Sequence, residues 1–206
     1  MIPLTELEHD ALVEIFNIGV GHAAASMSAI VNEKVKMSVP SISFLNRASA
    51  AKLLSNKDDE RICGVSQHYE GAFNTEAMLM FPENKSLEIV RLMVGESVPL
   101  QELTEMEQEA MSEIGNIILN SCVGTLANIF QLKLHGSLPL YHVGTSAEIL
   151  SASGSPDDTT VMMLHIDFLL EKQQIRGYVA FILDLNSLQD LKHQINCYLL
   201  RSTGSA

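Results

Sequence analysis

The chain has 206 residues, 47% of them hydrophobic, with 13 Lys and Arg against 25 Asp and Glu and a formal charge of −12. That is enough apolar material for a sizeable core, while scattered cations on an acidic chain repel phosphate backbones and argue against a nucleic-acid partner. No run approaches the roughly 20 apolar residues of a membrane span, and the start of the chain lacks the basic and apolar regions of a signal peptide, so a cytoplasmic protein with no membrane contact is expected.

The elements follow in order. Residues 5–32 carry apolar side chains at helical spacing, opened by Thr5 and Glu8 in the pattern of a capping box. On this helix Asp10, Glu14 and Asn17 step by four and then three residues, which places them within roughly 60° of arc. Ala11, Leu12, Val13, Ile15, Phe16, Ile18 and Val20 fill the rest of the circumference, and Gly21 lies beneath the stripe. Gly19 and Gly21 each cost a helix interior about 1 kcal/mol, which asks for close packing, close approach by a partner, or a kink. Residues 35–45 alternate with period two and read as a strand with Pro40 at an edge or at its start. Residues 46–56 show no clear period. A polar stretch with Asp58 and Asp59 reads as a hairpin turn in preference to a cation site. Strands at 62–70 and 76–81 form a hairpin, and a helix opens with Ser86 and Leu87.

The same text returns 99 residues later. Thr5 to Ile18 aligns without a gap to Thr104 to Ile117, with eight of fourteen positions identical. Glu14 becomes Glu113, Asn17 becomes Asn116, Asp10 becomes Glu109, and Thr104 with Glu107 repeats the capping pattern. Each Asn is followed, after 22 residues, by a proline, Pro40 and then Pro139. A strand at 134–143, an uncertain segment at 144–153, a turn with Asp157 and Asp158, strands at 160–170 and 174–184, and a helix opening with Ser187 and Leu188 complete the second copy. The last offset is 101, implying a two-residue insertion in the second hairpin. The expected architecture is one domain, 1–206, of two repeats, about 1–100 and 101–200. Antiparallel hairpins with helices at their ends make it an α+β layered fold.

The chemistry offered is spare. A charged stripe on a helix is most often a solvated face, yet Glu and Asn stand at matching places in both copies while much of the core differs. No His, Lys, Ser or Cys nucleophile joins them, which speaks against a self-contained hydrolase. The seven His residues show no metal-ligand spacing, and Cys63, Cys122 and Cys197 have no CxxC or Cys/His pattern, fitting packed thiols. A metal-dependent hydrolase is therefore remote, and no cofactor of the chain's own is expected. An anion beside an amide on a rigid helix suits insertion into another protein's site, where the amide can donate to and accept from a water held in line with a phosphorus atom.

The pattern Asp or Ser, three residues, Glu, two residues, Asn, 22 residues, Pro, present twice, resembles the CheC family of chemotaxis phosphatases, with the related CheX and FliY proteins. The resemblance spans nearly the whole chain. It implies a pseudo-twofold fold with a long antiparallel sheet flanked by helices, and dephosphorylation of the response regulator CheY. Glu14 and Glu113 would then pair with a lysine near the regulator's phosphorylated aspartate, Asn17 and Asn116 would orient water, and Mg²⁺ would be held mainly by the regulator. Asp10, Glu109, Pro40 and Pro139 would be accessory; Glu109, one methylene longer than Asp, departs from the pattern. CheD is a further partner that the resemblance implies, with no motif to place its surface. The alternative is a non-catalytic interaction module binding CheY or CheD, similar to the flagellar switch proteins FliM and FliN.

Overall fold

The computed structural model describes residues 4–31, 34–54, 61–94, 99–151, 159–170 and 173–202. In chain order the elements are α1 (Glu6–Val31), β1 (Val35–Asn46), α2 (Arg47–Leu54), β2 (Arg61–Gly71), β3 (Thr75–Pro82), α3 (Glu83–Val94), α4 (Leu100–Phe130), β4 (Leu134–Gly136), β5 (Leu140–Thr145), α5 (Ser146–Ser151), β6 (Thr160–Leu170), β7 (Gln173–Leu183) and α6 (Leu185–Ser202). The expected α+β class and antiparallel sheet are observed. The Asp58/Asp59 and Asp157/Asp158 turns lie outside the described residues.

Strand order is β1-β6-β7-β3-β2-β4, with β5 also paired to β2, and every described pairing is antiparallel. The two halves of the chain exchange edges: β1 pairs with β6, and β5 with β2. Period-two alternation then sorts side chains between two cores. Along β7, Ile175, Val179 and Phe181 face a layer built with α1, α3, α4 and α6, whereas Ala180 and Ile182 face the opposite layer under the short helices α2 and α5. These two short helices occupy the segments in which the sequence shows no period.

The long helices follow from their caps and packing. Glu8 Oε2 accepts from the Thr5 N–H at 2.6 Å and Thr5 Oγ1 from the Glu8 N–H at 3.3 Å, so the first capping box forms as expected. The second does not. Helix α4 begins at Leu100, behind Pro99, so Thr104 lies inside it, and Glu107 instead accepts hydrogen bonds from Ser86 and from the Tyr141 hydroxyl. α3 and α6 likewise start ahead of their Ser-Leu pairs, at Glu83 and Leu185. Gly19 answers its helix cost by packing: a Cβ there would stand 3.0 Å from Cys122 Cα, so the backbones of α1 and α4 meet closely at this point. Gly21 has nothing within 4 Å of a built Cβ.

The strand expected over 134–143 is two strands. β4 ends at Gly136 and β5 starts at Leu140, with Pro139 in the gap. β1, by contrast, runs unbroken past Pro40, absorbing it in a register shift between Ser38 and Ser41 opposite β6.

Candidate functional site

Two stripes of side chains lie over opposite edges of the sheet. On α1, Asp10 and Glu14 are exposed and Asn17 is half-buried. Ile18, expected on the buried surround, is 41% exposed, so the open face of α1 is wider than a single polar line. The Asn17 amide is turned inward. Its Nδ2 donates to the carbonyls of Val13 at 2.9 Å and Val39 at 3.2 Å, and its Oδ1 accepts from the Val39 N–H at 2.9 Å. Val39 precedes the exposed Pro40. The 22-residue spacing from Asn to Pro therefore has a structural meaning in the first copy: the amide stands in for a neighbouring strand and ties β1 to α1 just where proline disturbs the pairing.

On α4, Glu109 and Glu113 are exposed and Asn116 is half-buried. Glu109 and Glu113, with Glu105, Met106, Ser112 and Pro139, line an open groove of about 710 Å³. Here the amide makes no bond to the backbone before the proline. Leu138, which occupies the place of Val39, is 83% exposed where Val39 is 1% exposed. Asn116 Oδ1 accepts instead from Gln67 Nε2 at 3.2 Å and Asn120 Nδ2 at 2.7 Å. Gln67 Nε2 also donates to the Ser137 carbonyl at 2.9 Å, and the Tyr69 hydroxyl lies 3.0 Å from both Gln67 Oε1 and Asn120 Oδ1. The structure thus joins Glu109, Glu113 and Pro139 in one groove and backs Asn116 with residues from β2. Sequence reading missed Gln67, Tyr69 and Ser137, which lie far along the chain from Asn116. Asn120 alone had a local signal, one helical turn beyond Asn116.

A sequence model of the CheC-like family matches residues 7–44, the stretch that holds Asp10, Glu14, Asn17 and Pro40. The chain is similar to that family over this stretch. It is 24% identical over 196 residues to the CheY-P phosphatase CheC of Bacillus subtilis (strain 168), covering 91% of this chain and 93% of that protein. It is 26% identical over 170 residues to the flagellar motor switch phosphatase FliY of the same organism, covering 82% of this chain but only 43% of FliY. Among solved structures, Thermotoga maritima FliY superposes with a TM-score of 0.73 at 18% identity, over 96% of this chain and all of that one. The CheX–CheY–BeF3–Mg²⁺ complex of Borrelia burgdorferi contains a chain that superposes with a TM-score of 0.53 at 16% identity, over 84% of this chain and 97% of that one. At these identities the structural matches establish the fold alone.

Two of the three cysteines and both histidines of α1 are engaged by packing or hydrogen bonds. Cys63 and Cys122 are buried, and burial pushes both thiols up to about 12, too high to supply thiolate at neutral pH. His9 meets the Ile42 carbonyl at 3.0 Å and His22 the Thr125 hydroxyl at 3.3 Å. Among the described residues no three His, Cys, Asp or Glu gather in a way that could hold a metal ion, and no helix is long and apolar enough to cross a membrane. Glu8, 4% exposed, ties α1 to α6. Burial raises its pKa, but hydrogen bonds from the Thr5 N–H, from Asn196 at 2.8 Å and from the Thr5 hydroxyl, with Lys192 at 3.6 Å, outweigh it and hold the carboxyl below its ordinary range.

Proposed function

We propose that this protein is a CheY-P phosphatase, hydrolysing the aspartyl phosphate of a receiver domain at the helix-borne pairs Glu14/Asn17 and Glu113/Asn116. The observation that carries the reading is the second stripe: an exposed Glu113 beside a groove open to a macromolecule, with an amide one turn away whose Nδ2 makes no hydrogen bond among the described residues. The name of the B. subtilis CheC relative supports the activity, and the CheX–CheY complex supports a receiver domain as partner.

In this reading the exposed glutamate pairs with a cation of the receiver and sets the docking angle. The amide reaches the phosphoryl group and holds a water in line with phosphorus. The water oxygen forms the new P–O bond while the bond from phosphorus to the aspartyl oxygen breaks, its electron pair going to the carboxylate. The products are a free aspartate carboxylate and inorganic phosphate, which keeps the water's oxygen and its two hydrogens as H2PO4− before equilibrating with solvent. Mg²⁺ is a requirement of the receiver and would neutralise charge on the phosphoryl oxygens from that side. The test is phosphate release from a phosphorylated receiver by wild type and by Asn17→Ala/Asn116→Ala. The double variant should lose most of the rate enhancement while still binding the receiver, because a transition-state contact and not docking has been removed. Unchanged turnover would refute the sites.

A further inference from the structure

The two amides present opposite hydrogen-bonding faces. Both Asn17 hydrogens are engaged by backbone carbonyls, leaving one lone pair on Oδ1, whereas both Asn116 acceptor positions are filled and the Nδ2 hydrogens are uncommitted among the described residues. The orientation of Asn116 follows from fixed backbone groups. The Ser137 carbonyl can only accept, so the Gln67 atom facing it is nitrogen; the other hydrogen of that nitrogen points at Asn116, whose near atom must then be oxygen. Gln67 is 2% exposed and Tyr69 2% exposed, so the Gln67 side of this bracket is shielded from water.

The sequence carries the same asymmetry as a set. At the 99-residue offset, Gln67 faces Ile166, Tyr69 faces Phe168 and Asn120 faces Gly21. Ile166 lies on β6 opposite the register shift that contains Val39 and Pro40, so the first site has carbon where the second has its amide donor. Asn17 is bonded to the Val39 backbone, whereas Asn116 accepts from Gln67 and Asn120 and Leu138 is 83% exposed.

We propose that Gln67 and Asn120 are positioning residues of the second site, which saturate Asn116 Oδ1 and hold its Nδ2 outward as a hydrogen-bond donor to the attacking water. This deepens the phosphatase reading and rests on it for its kinetic consequence. A water that receives a hydrogen bond in one lone pair has its other confined to a cone about that bond, which narrows its orientations toward those an in-line attack requires.

The kinetic test uses Asn17→Ala, in which the second site acts alone. Adding Gln67→Leu should lower kcat about tenfold or more, the rate equivalent of one misdirected hydrogen bond, with KM for phosphorylated receiver unchanged; Asn120→Ala, on an exposed residue, should do the same to a smaller extent. The Gln67→Leu change placed in Asn116→Ala should leave the first site's rate as it was. Gln67→Glu adds a pH signature: an ionised carboxylate in place of the Gln67 amide cannot donate, so the variant's rate relative to the parent should be low in alkali. It should recover in part as pH falls and the buried carboxyl, its pKa raised by desolvation, takes up a proton, the one hydrogen then being shared between Asn116 and the Ser137 carbonyl where the amide had two. A simple loss of folding would depress both backgrounds alike and follow no such profile. Independently of activity, the side-chain NH2 resonances of Asn116, assigned by their loss in Asn116→Ala, should shift in Gln67→Leu. Unmoved resonances, full kcat in Asn17→Ala/Gln67→Leu, or equal loss in both backgrounds would overturn the assignment. A wild-type protein without phosphatase activity but with shifted resonances would keep the bracket and refute the donor's role in hydrolysis.

Discussion

A side-chain amide is a donor and an acceptor at once, and which half it offers is set by what stands behind it. Asn17 spends its hydrogens on Val13 and Val39, so Asn17→Ala leaves the Val39 backbone without its partner and should cost about 1–3 kcal/mol of stability, read as a lower urea midpoint. Asn116→Ala should cost less stability but more activity, because its Nδ2 is already free to act while Asn17 must first break a bond. Single-variant phosphatase rates would check this: the Asn17→Ala protein should keep the larger share. Glu8 provides a prediction in pH. Its folded pKa is depressed, so the stability it contributes is present above the ordinary value of 4.5 and is lost as pH falls through the lower folded value. Glu8→Gln should flatten that acid limb of the stability curve and cost about 1–3 kcal/mol at neutral pH, measured by thermal unfolding across acid and neutral buffers.

Among the elements, the glycines of α1 separate two demands that look alike in sequence. Gly19→Ala would place a methyl 3.0 Å from the Cys122 backbone, and α1 must shift off α4 to admit it. A cost of about 1–3 kcal/mol is expected. Gly21→Ala meets open space and should stabilise by up to about 1 kcal/mol through helix propensity alone. Paired denaturation curves of the two variants decide this. The strands show the same lesson from the other side. Pro40 and Pro139 stand at one spacing from their asparagines, yet β1 runs through the first as a bulge and the second divides β4 from β5. Proline removes a donor in both places, but only Asn17 supplies a substitute partner at the neighbouring residue. Helix α4 starting at Leu100 likewise overrides the second capping pattern, since Pro99 suits the entry to a helix and good helix formers follow it.

At the scale of the molecule, strands from the earlier and later parts of the chain pair with one another across the sheet, β1 with β6, β3 with β7 and β2 with β5. Residues 1–98 alone would leave β1 without β6, β3 without β7 and β2 without β5. Such a fragment should give an unfolded circular dichroism spectrum; a folded one would contradict the interdependence of the halves. Much of this was legible in the sequence. Apolar period distinguishes the long helices from the hairpins because each residue's burial is set by its place in a local repeat, and the Glu/Asn stripes follow from helical geometry in the same way. The short helices α2 and α5 were not legible, because six to eight residues under a sheet need only a few apolar contacts and leave no period to detect. The polarity of the two candidate sites was decided by tertiary structure alone. It depends on what lies behind the amide, and Gln67, which does so for Asn116, comes from a strand that the chain brings to the helix across 49 positions. A hydrogen bond of about 3 Å discriminates between oxygen and nitrogen only once both partners are held in place, and no local repeat carries that information.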